Sequence, residues 1–371
     1  MIKVLNIISD SNIGGAGRCV LNFLKYYDRK KFGIMVVMPE GSLLKPEVEK
    51  LGVKVIEVDG IADKSMDVKA IGKINKIIKK TNPDVIHTHG TVTGRICARM
   101  CGKKVIYTRH SVFPVSERIK KGVGRFVNKT LNEYLADDII AVAEAAKENL
   151  TDGGIAPEKI RVILNGVEAV KPKDEAVKAE IRELYGIEEG DFVMGIMARL
   201  EKVKGHEFVI DVAEKLKEKG AKFKILIIGV GNEEENLKKL VESKNLGDVV
   251  KFTGFITDIS RMLSVMDLQL NASYGTEATS LALLEGMSLG IPAVVSDYGG
   301  NPGVIFPGEN GYLFRTKDSA DMLEKVESLM NDKEAYESMK KKCVEIFEKK
   351  FTAEIYARNI EAVYEDVYNR R

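Results

Sequence analysis

Short apolar segments rich in Val and Ile alternate with amphipathic helical segments along almost the whole chain, and this series runs twice. Apolar runs of this kind are typical of parallel strands that are buried on both faces. Strand–helix alternation then predicts doubly wound α/β domains. We predict strands over residues 3–9, 33–39, 53–59, 84–89, 103–108, 138–143 and 161–165 in the first series, and over residues 191–198, 222–229, 249–254, 267–273, 291–297 and 311–314 in the second.

A charged segment that contains a proline separates the two series, beginning at Gly166. A chain of 371 residues is also too long for one ordinary core and suits two domains. We therefore expect one Rossmann-like domain over residues 1–170, a second over residues 171–350, and a helix over residues 351–371 that crosses back to the first domain. Ligands of open parallel sheets bind at the carboxyl ends of the strands, so we expect two facing sheets with the site in an interdomain cleft.

Composition excludes several classes of protein. The 57 basic and 55 acidic residues leave a formal net charge of +2, so no overall polycation argues for nucleic acid as a partner. No apolar run approaches the roughly 20 residues that span a bilayer. The first residues lack a signal-peptide layout, so we expect a cytoplasmic protein.

A glycine-rich loop follows the first predicted strand, in the sequence SDSNIGGAGR (9–18). Gly14, Gly15 and Gly17 allow a ligand to approach the backbone closely, and the start of the following helix favours an anion. The dinucleotide fingerprint fails, because Val20 occupies its third glycine position. The loop therefore indicates a phosphate or a sugar rather than NAD, with a plain turn as the alternative.

Two cations follow the first strand of the second series, in the sequence MARLEKVKGHE (197–207). Arg199 offers a forked contact and Lys204 a movable point charge, and the pair suits a diphosphate. The alternative is that both are solvated surface residues. Their position at the carboxyl end of a buried strand favours the diphosphate.

Two glutamates eight residues apart, Glu277 and Glu285, flank a helix start in the sequence EATSLALLE. Thr279 or Ser280 can cap this helix, so we expect Glu277 before it and Glu285 one to two turns inside it. The free N–H groups of the first turn suit a phosphate oxygen, and carboxylates beside them suit sugar hydroxyls. The alternative is a capping Glu277 and a solvated Glu285.

Together these motifs resemble the family 4 glycosyltransferases, which have the GT-B fold of two facing Rossmann-like domains. The resemblance covers nearly the whole chain. It rests on the paired glutamates of the family's E-x7-E motif, here Glu277 and Glu285; the cations of RLEKVKG, Arg199 and Lys204; the loop GGAG; the junction sequence Asn165-Gly166-Val167; and the strand end FTGF (252–255). Two departures are Ala278-Thr279-Ser280, where the family usually has Gly-Phe-Gly, and Gly303, where it often has a glutamate.

The resemblance implies transfer of a glycosyl group from a nucleotide diphosphate sugar, with retention at the anomeric carbon. It implies that Glu285 holds the ribose, that Glu277 holds a donor sugar hydroxyl, and that Arg199 and Lys204 stabilise the leaving diphosphate. Backbone groups around Gly254 and Phe255 would hold the base. Further contacts to the donor would come from the amides of Thr279, Ser280 and Leu281 and from that of Gly15, with Gly14 on the acceptor side.

Two histidines are candidate site residues. His110, in YTRHSV, matches the family's histidine that approaches the donor sugar, and His89, in IHTHG, is a candidate on the acceptor side. The alternative for each is a core or surface histidine. We expect His87 to point to the opposite face of its strand from His89 and to lie in the core, and His206 to sit exposed at a helix start with no role.

The chain contains no D-x-D triplet, which a metal-dependent transferase of the other common fold would use to hold Mn²⁺ or Mg²⁺. Arg199 and Lys204 can take the place of such a metal, so we expect a metal-independent enzyme with no cofactor. UDP-linked hexose or N-acetylhexosamine is the expected donor, with GDP-mannose left open, and a glycan or lipid-linked molecule is the expected acceptor.

Residues 115–131 combine basic and apolar side chains in one segment. A cationic amphipathic helix gains affinity for anionic lipid from both kinds of side chain. We therefore expect that this segment docks the enzyme on the inner membrane face beside a lipid-linked acceptor. The alternative is a solvated helix face over the core.

Two other functions remain as alternatives. A nucleotide-sugar epimerase of the same architecture would need acids and bases around the sugar ring, and the first half shows no evident carboxylate cluster. A non-catalytic sensor would bind a nucleotide sugar without releasing the nucleotide.

Overall fold

The structure is a computed structural model that describes residues 1–63, 65–112 and 115–370. The chain divides into two compact units. The first unit comprises Met1–Val167 together with Phe351–Arg371, and the second comprises Glu168–Lys350. The end of the chain thus belongs to the unit in which the chain begins.

The first unit is built on a parallel sheet that has seven strands within the described residues, in the order β3-β2-β1-β4-β5-β6-β7. Its strands are β1 (Ile2–Ile8), β2 (Phe32–Pro39), β3 (Lys54–Val58), β4 (Val85–His89), β5 (Lys104–Arg109), β6 (Asp138–Ala141) and β7 (Ile160–Val162). Its helices up to the junction are α1 (Gly15–Tyr26), α2 (Leu44–Lys50), α3 (Ile71–Thr81), α4 (Val92–Met100), α5 (Glu117–Lys120), α6 (Gly122–Leu135) and α7 (Glu144–Asp152).

The second unit is built on a parallel sheet that has six strands within the described residues, in the order β10-β9-β8-β11-β12-β13. Its strands are β8 (Phe192–Met197), β9 (Phe223–Ile228), β10 (Val250–Gly254), β11 (Leu268–Asn271), β12 (Ala293–Ser296) and β13 (Gly311–Phe314). Its helices are α8 (Glu175–Tyr185), α9 (His206–Glu218), α10 (Glu234–Ser243), α11 (Ser260–Leu263), α12 (Leu281–Ser288), α13 (Ser319–Asn331) and α14 (Lys333–Lys350). The final helix, α15 (Ala353–Asn369), belongs to the first unit.

The strand order reverses once in each sheet, between β1 and β4 and between β8 and β11. This order defines a doubly wound Rossmann-like fold, in which ligands bind beyond the carboxyl ends of the strands on either side of the reversal. The predicted α/β fold with two parallel sheets is confirmed, and each predicted strand corresponds to an observed one. The reversal points single out the loops after β1, β4, β8 and β11.

Apolar side chains on both sides of each sheet form the cores. Leu5 and Ile7 pack with Ile74 and Ile78 of α3 in the first unit. In the second unit, residues of β8, β9 and β11 pack with α9 and α13 on one side, and residues of β8 and β9 pack with α8 and α11 on the other. Burial on both sides explains why the strands read as continuous apolar runs.

Helix α15 is held to the first unit by backbone, aromatic and polar contacts. Val167 and Thr352 form an isolated parallel bridge where the chain re-enters this unit. The fully buried ring of Tyr364 packs edge-on against Phe23, with the two ring centroids 5.6 Å apart, and its hydroxyl lies 2.8 Å from Nδ1 of His87. None of the helices in the described part of the chain is both long and apolar enough to cross a membrane.

We expect His87 to make the fold sensitive to acid. Its burial, and then the charge of His110, lower the pKa of His87 from 6.5 to about 3. Because the unfolded chain binds this proton first, the free energy of unfolding should fall as the pH drops through 6.5, by about 2 kcal/mol between pH 7 and pH 5 from this residue alone. Urea unfolding of His87→Gln followed by circular dichroism should show a flatter pH dependence than wild type. An unchanged slope would contradict this assignment, and Lys80→Gln, which changes an exposed side chain of α3, is the control.

Candidate functional site

The loops after β8 and β11 bring a lysine and a glutamate of the second unit together. Nζ of Lys204 lies 2.9 Å from Oε2 of Glu277 and donates to the carbonyl oxygen of Thr276 at 3.0 Å. The hydroxyl of Ser273 donates to the same Oε2 at 2.7 Å. The Lys204 and Glu277 side chains are only 12% and 10% exposed. These contacts hold a carboxylate and an ammonium group in one place at the carboxyl edge of the sheet.

Two glycines permit this close arrangement. Gly205, with a φ of +70°, lies so close to the backbone that a Cβ would come within 2.2 Å of the carbonyl oxygen of Ala272. Gly299, with a φ of +62°, would place a Cβ 2.3 Å from the carbonyl oxygen of Glu277, and Gly300 donates its N–H to that oxygen at 3.1 Å. The backbone of Glu277 is therefore positioned by the loop after β12.

Helix α12 begins at this cluster. Ser280 is its N-cap and accepts a hydrogen bond from the N–H of Leu283 at 3.5 Å, and Leu281 is the first helical residue. Thr279 and Leu281 are buried. Glu285 is 5% exposed and lies in the second turn. The helix start agrees with the sequence-based expectation.

Arg199 and the end of β10 are further predicted donor contacts in the second unit. Arg199 is exposed and pairs with Glu201, with Nη1 and Oε1 2.6 Å apart. An ion pair this exposed contributes at most about 1 kcal/mol, so the guanidinium can readily exchange partners. Gly254 ends β10 with a φ of +70°, and the Phe255 side chain after it is 71% exposed.

In the first unit, the loops after β1, β4 and β5 line a pocket of about 730 Å³ together with α6 and α7. His89 and His110 both line it. Gly14 is the N-cap of α1 and Gly15 its first residue, and a Cβ at either would meet no atom within 4 Å. The packing of the chain therefore does not require glycine at these two positions.

A chain of hydrogen bonds runs from the pocket into the core. Nδ1 of His89 lies 2.9 Å from Nε2 of His110, and Nε2 of His89 lies 3.0 Å from Oδ1 of Asn6. Burial lowers the pKa of His110 to about 4 and that of His89 well below its usual value, so both rings are neutral near pH 7. With the amide oxygen of Asn6 as acceptor, His89 carries its proton on Nε2, and His110 donates from Nε2 to Nδ1 of His89. Nδ1 of His110 is then an acceptor.

Two expectations about histidines were wrong. The ring centroids of His87 and His89 lie 4.2 Å apart, so both side chains point to the same face of β4. Residues two apart on a strand share a face, and the expectation of opposite faces broke that rule. His206 is fully buried rather than exposed, because it lies on the same stripe of α9 as the buried residues Val209, Ile210 and Ala213. Its burial, with the charge of Lys204, lowers its pKa to about 4.

Sequence reasoning missed Ser273, Asn6 and Arg95. Asn6 carried a signal, since it is a polar residue inside an otherwise apolar buried strand. Arg95 carried a weaker one, a basic residue on the face of α4 that also holds Thr91 and Ala98. Ser273 ends a strand like many serines and could not have been singled out.

The described residues contain no group of three or more His, Cys, Asp or Glu side chains that could hold a metal ion.

The two units match two families of glycosyltransferases. Residues 177–344 match the family described as Glycosyl transferases group 1, and residues 13–171 match Glycosyltransferase Family 4. Among curated relatives, EpsD of Bacillus subtilis (strain 168), which is named as a glycosyltransferase, is 30% identical over 273 residues, or 71% of each chain. The chain therefore belongs to the family 4 glycosyltransferases, and it has the GT-B fold.

Further similarities extend over most of the chain. An Escherichia coli protein named UDP-Gal:alpha-D-GlcNAc-diphosphoundecaprenol alpha-1,3-galactosyltransferase is 28% identical over 279 residues, which cover 72% of this chain and 71% of that protein. The N-acetyl-alpha-D-glucosaminyl L-malate synthase of Bacillus anthracis is 25% identical over 309 residues, 81% of this chain and 79% of that protein. The solved structure of Anabaena HepE in complex with UDP-glucose has a TM-score of 0.83 at 20% identity and covers 99% of this chain and 100% of HepE.

We expect Gly299→Ala to displace Glu277. The new Cβ would overlap the Glu277 carbonyl oxygen, so the variant should lose transferase activity. Its free energy of unfolding should fall by more than the roughly 1–2 kcal/mol that a positive φ alone costs. Gly308→Ala is the matched control, because Gly308 has a φ of +80° and open space around its Cβ position. Urea unfolding and transferase assays on both variants test this. Equal losses of stability and activity in the two variants would mean that the Glu277 contact has no special effect.

Proposed function

We propose that the protein transfers a hexosyl or N-acetylhexosaminyl group from a UDP-linked sugar to a glycan or lipid-linked acceptor, with retention and without a metal. The observation that carries this proposal is the cluster of Lys204, Glu277 and Ser273 at the start of α12. It lies at the reversal point of a Rossmann-like sheet, where phosphate-bearing ligands of such sheets bind.

The donor's diphosphate would lie between the start of α12 and the two cations. The first amides of α12 and the positive end of its dipole favour phosphate oxygens. Lys204 would stabilise the charge that grows on the leaving diphosphate, and Arg199 would exchange Glu201 for the diphosphate. Glu285 would accept hydrogen bonds from the ribose hydroxyls and Glu277 one from a hydroxyl of the donor sugar.

In the proposed reaction the bond between the anomeric carbon and the diphosphate oxygen breaks as the acceptor oxygen bonds to the same face of that carbon. The acceptor proton passes to the departing diphosphate. The positive charges of Lys204 and Arg199 lower the barrier because they oppose the developing negative charge. In the first unit, His110 would accept a hydrogen bond from a sugar hydroxyl through Nδ1, with its ring oriented by His89.

The names of similar proteins support these substrates. HepE is described in complex with UDP, with UDP and glucose, and with UDP-glucose. The name of the E. coli relative specifies a UDP-galactose donor and a diphosphoundecaprenol-linked acceptor. The name of the B. anthracis relative specifies N-acetyl-alpha-D-glucosaminyl L-malate as its product. We therefore take UDP as the nucleotide and a lipid-linked glycan as the first acceptor class to test.

Release of nucleotide from a panel of UDP-, GDP- and ADP-sugars tests this function. We expect slow hydrolytic release from one UDP-sugar, unaffected by chelator, and a fall of about 10²–10³-fold in Glu277→Ala, because the donor sugar and the Lys204 ammonium lose the group that positions them. Glu348→Ala, which removes an exposed glutamate of α14, is the matched control.

Each other outcome points to a different reading. Conversion of the sugar without release of nucleotide would identify an epimerase, and binding without turnover, even with acceptors supplied, would identify a sensor. Loss of turnover on chelation would contradict metal independence. Failure to bind any nucleotide sugar would contradict the proposal as a whole.

We also propose that α6 docks on the inner face of an anionic membrane. Its exposed apolar side chains are Val123, Phe126, Val127, Leu131 and Tyr134, which recur at helical spacing along one face. Lys121, Arg125 and Lys129 belong to the same segment and are exposed. Apolar residues turned to solvent argue against the alternative that this stripe covers the core, and a segment that combines an exposed apolar stripe with cations suits anionic lipid.

Co-sedimentation with phosphatidylglycerol vesicles at low salt tests the docking. Val123 and Phe126 would be buried in the lipid when α6 docks. Removing both apolar side chains costs about 3 kcal/mol or more of binding free energy, so Val123→Ser/Phe126→Ser should bind the vesicles at least ten-fold more weakly. Leu184→Ser is the matched control, since Leu184 is 66% exposed on α8 in the other unit. Equal sedimentation of wild type and the double variant, or none for wild type, would argue against a membrane role for α6.

A further inference from the structure

A buried arginine forms part of the wall of the pocket in the first unit. Arg95 lies on α4, is 5% exposed and lines the pocket together with Arg109 and the two histidines of the hydrogen-bond chain. Arginine is rarely buried without a partner, since removing a charge from water is costly. The group that balances the charge of Arg95 therefore has to be identified.

The contacts of Arg95 within the protein are few and uncharged. Its Nη1 donates to Oδ1 of Asn132 on α6 at 2.8 Å, and its guanidinium carbon lies 4.2 Å from the ring centroid of Tyr107. Its Nε is buried and has no hydrogen-bond partner in the part of the chain that the structure describes. No carboxylate among the described residues forms a salt bridge with it. These contacts orient the guanidinium but do not neutralise its charge.

The charges around Arg95 make the imbalance larger. Burial lowers the pKa of Arg95, Tyr107 partly opposes this effect, and the positive charge of Arg109 lowers the pKa further by the smallest of the three contributions. Asp10 is the acidic side chain among the described residues that line the pocket, and burial together with the charge of Asp63 raises its pKa. The pocket therefore has two guanidinium groups and one carboxyl group that is itself disfavoured as an anion.

Arg99, one turn further along α4, shows what a structural arginine looks like on the same helix. Its Nη1 lies 2.9 Å from Oδ2 of Asp137, and its Nε donates to the carbonyl oxygen of Tyr134 at 2.7 Å. Within the described residues, Arg99 therefore has a carboxylate partner, whereas the more deeply buried Arg95 has none. A ligand that enters the pocket can supply the missing anion.

We propose that this pocket binds an anionic group of the acceptor, a phosphate or a carboxylate, against the guanidinium of Arg95, so that the enzyme selects acceptors that carry a negative charge. This rests on the proposed transferase function, since it names the acceptor class of that enzyme. Asn132 positions the guanidinium from α6. The pocket volume of about 730 Å³ also leaves room for a sugar ring beside the anion, with Asn128 and Asn149 in the pocket wall.

Calorimetric titration of the full chain with inorganic phosphate, and separately with malonate, tests the anion site. Saturating UDP is present in both titrations, so that a nucleotide-phosphate site cannot account for the signal. We expect wild type to bind at least one probe, and Arg95→Gln to bind it at least ten-fold more weakly with unchanged UDP affinity and unchanged melting temperature. Arg99→Gln is the matched control and should bind the probe as wild type does. Tighter binding of phosphate would indicate an acceptor that carries a phosphate, and tighter binding of malonate would indicate one that carries a carboxylate.

Equal probe affinity in wild type and Arg95→Gln, or no binding of either probe to wild type, would overturn the proposal. If Arg95→Gln does not fold, Arg95→Lys decides, because it keeps the charge but loses the forked geometry. Intermediate affinity in Arg95→Lys supports the site, and wild-type affinity overturns it. Failure to bind UDP would count against the proposed donor, while the difference between wild type and the variant at Arg95 would still test the anion site.

Discussion

The reversal of strand order in each parallel sheet is the constraint on which the candidate site depends. Neighbouring crossover connections leave in opposite directions at that point, so the loops after the two flanking strands separate and leave space at the carboxyl edge. In the second unit this edge brings Lys204 from the loop after β8 to Glu277 from the loop after β11. In the first unit it opens the pocket that His89 lines after β4. The side chains of the candidate site are therefore distant in sequence and adjacent at one edge of each sheet.

Burial then decides the chemical state of these side chains. His89 and His110 are neutral near pH 7 because burial disfavours their charged forms, so they act as hydrogen-bond donors and acceptors rather than as cations. Lys204 and Glu277 meet the same cost by pairing with each other. Arg95 is buried like the histidines but cannot lose its proton near neutral pH, which is why its missing counter-ion points to a ligand.

Much of the fold was predictable, because parallel strands buried on both faces produce apolar runs that differ from amphipathic helices. The start of α12 was predictable from its capping residue, Ser280. Errors arose where burial depended on partners distant in sequence. His206 seemed exposed from its position at a helix start, yet its helical spacing places it on the buried stripe of α9. Asn6 was missed because its importance depends on a hydrogen bond to His89, which is distant in sequence. Arg95 was missed because its burial and its charge balance depend on segments that are distant in sequence.

The sequence by itself determined the two α/β series, the glycine-rich loop, the cations and the glutamates, since each depends on residue type and on spacing within one segment. Only the tertiary structure decided that Ser273 shares the carboxylate of Glu277 with Lys204, that the apolar face of α6 is exposed, and that Arg95 is buried with no carboxylate partner among the described residues. The physical reason is that hydrogen bonding, burial and charge balance depend on distances between segments, which the packing of helices on the sheets sets and which no local pattern records.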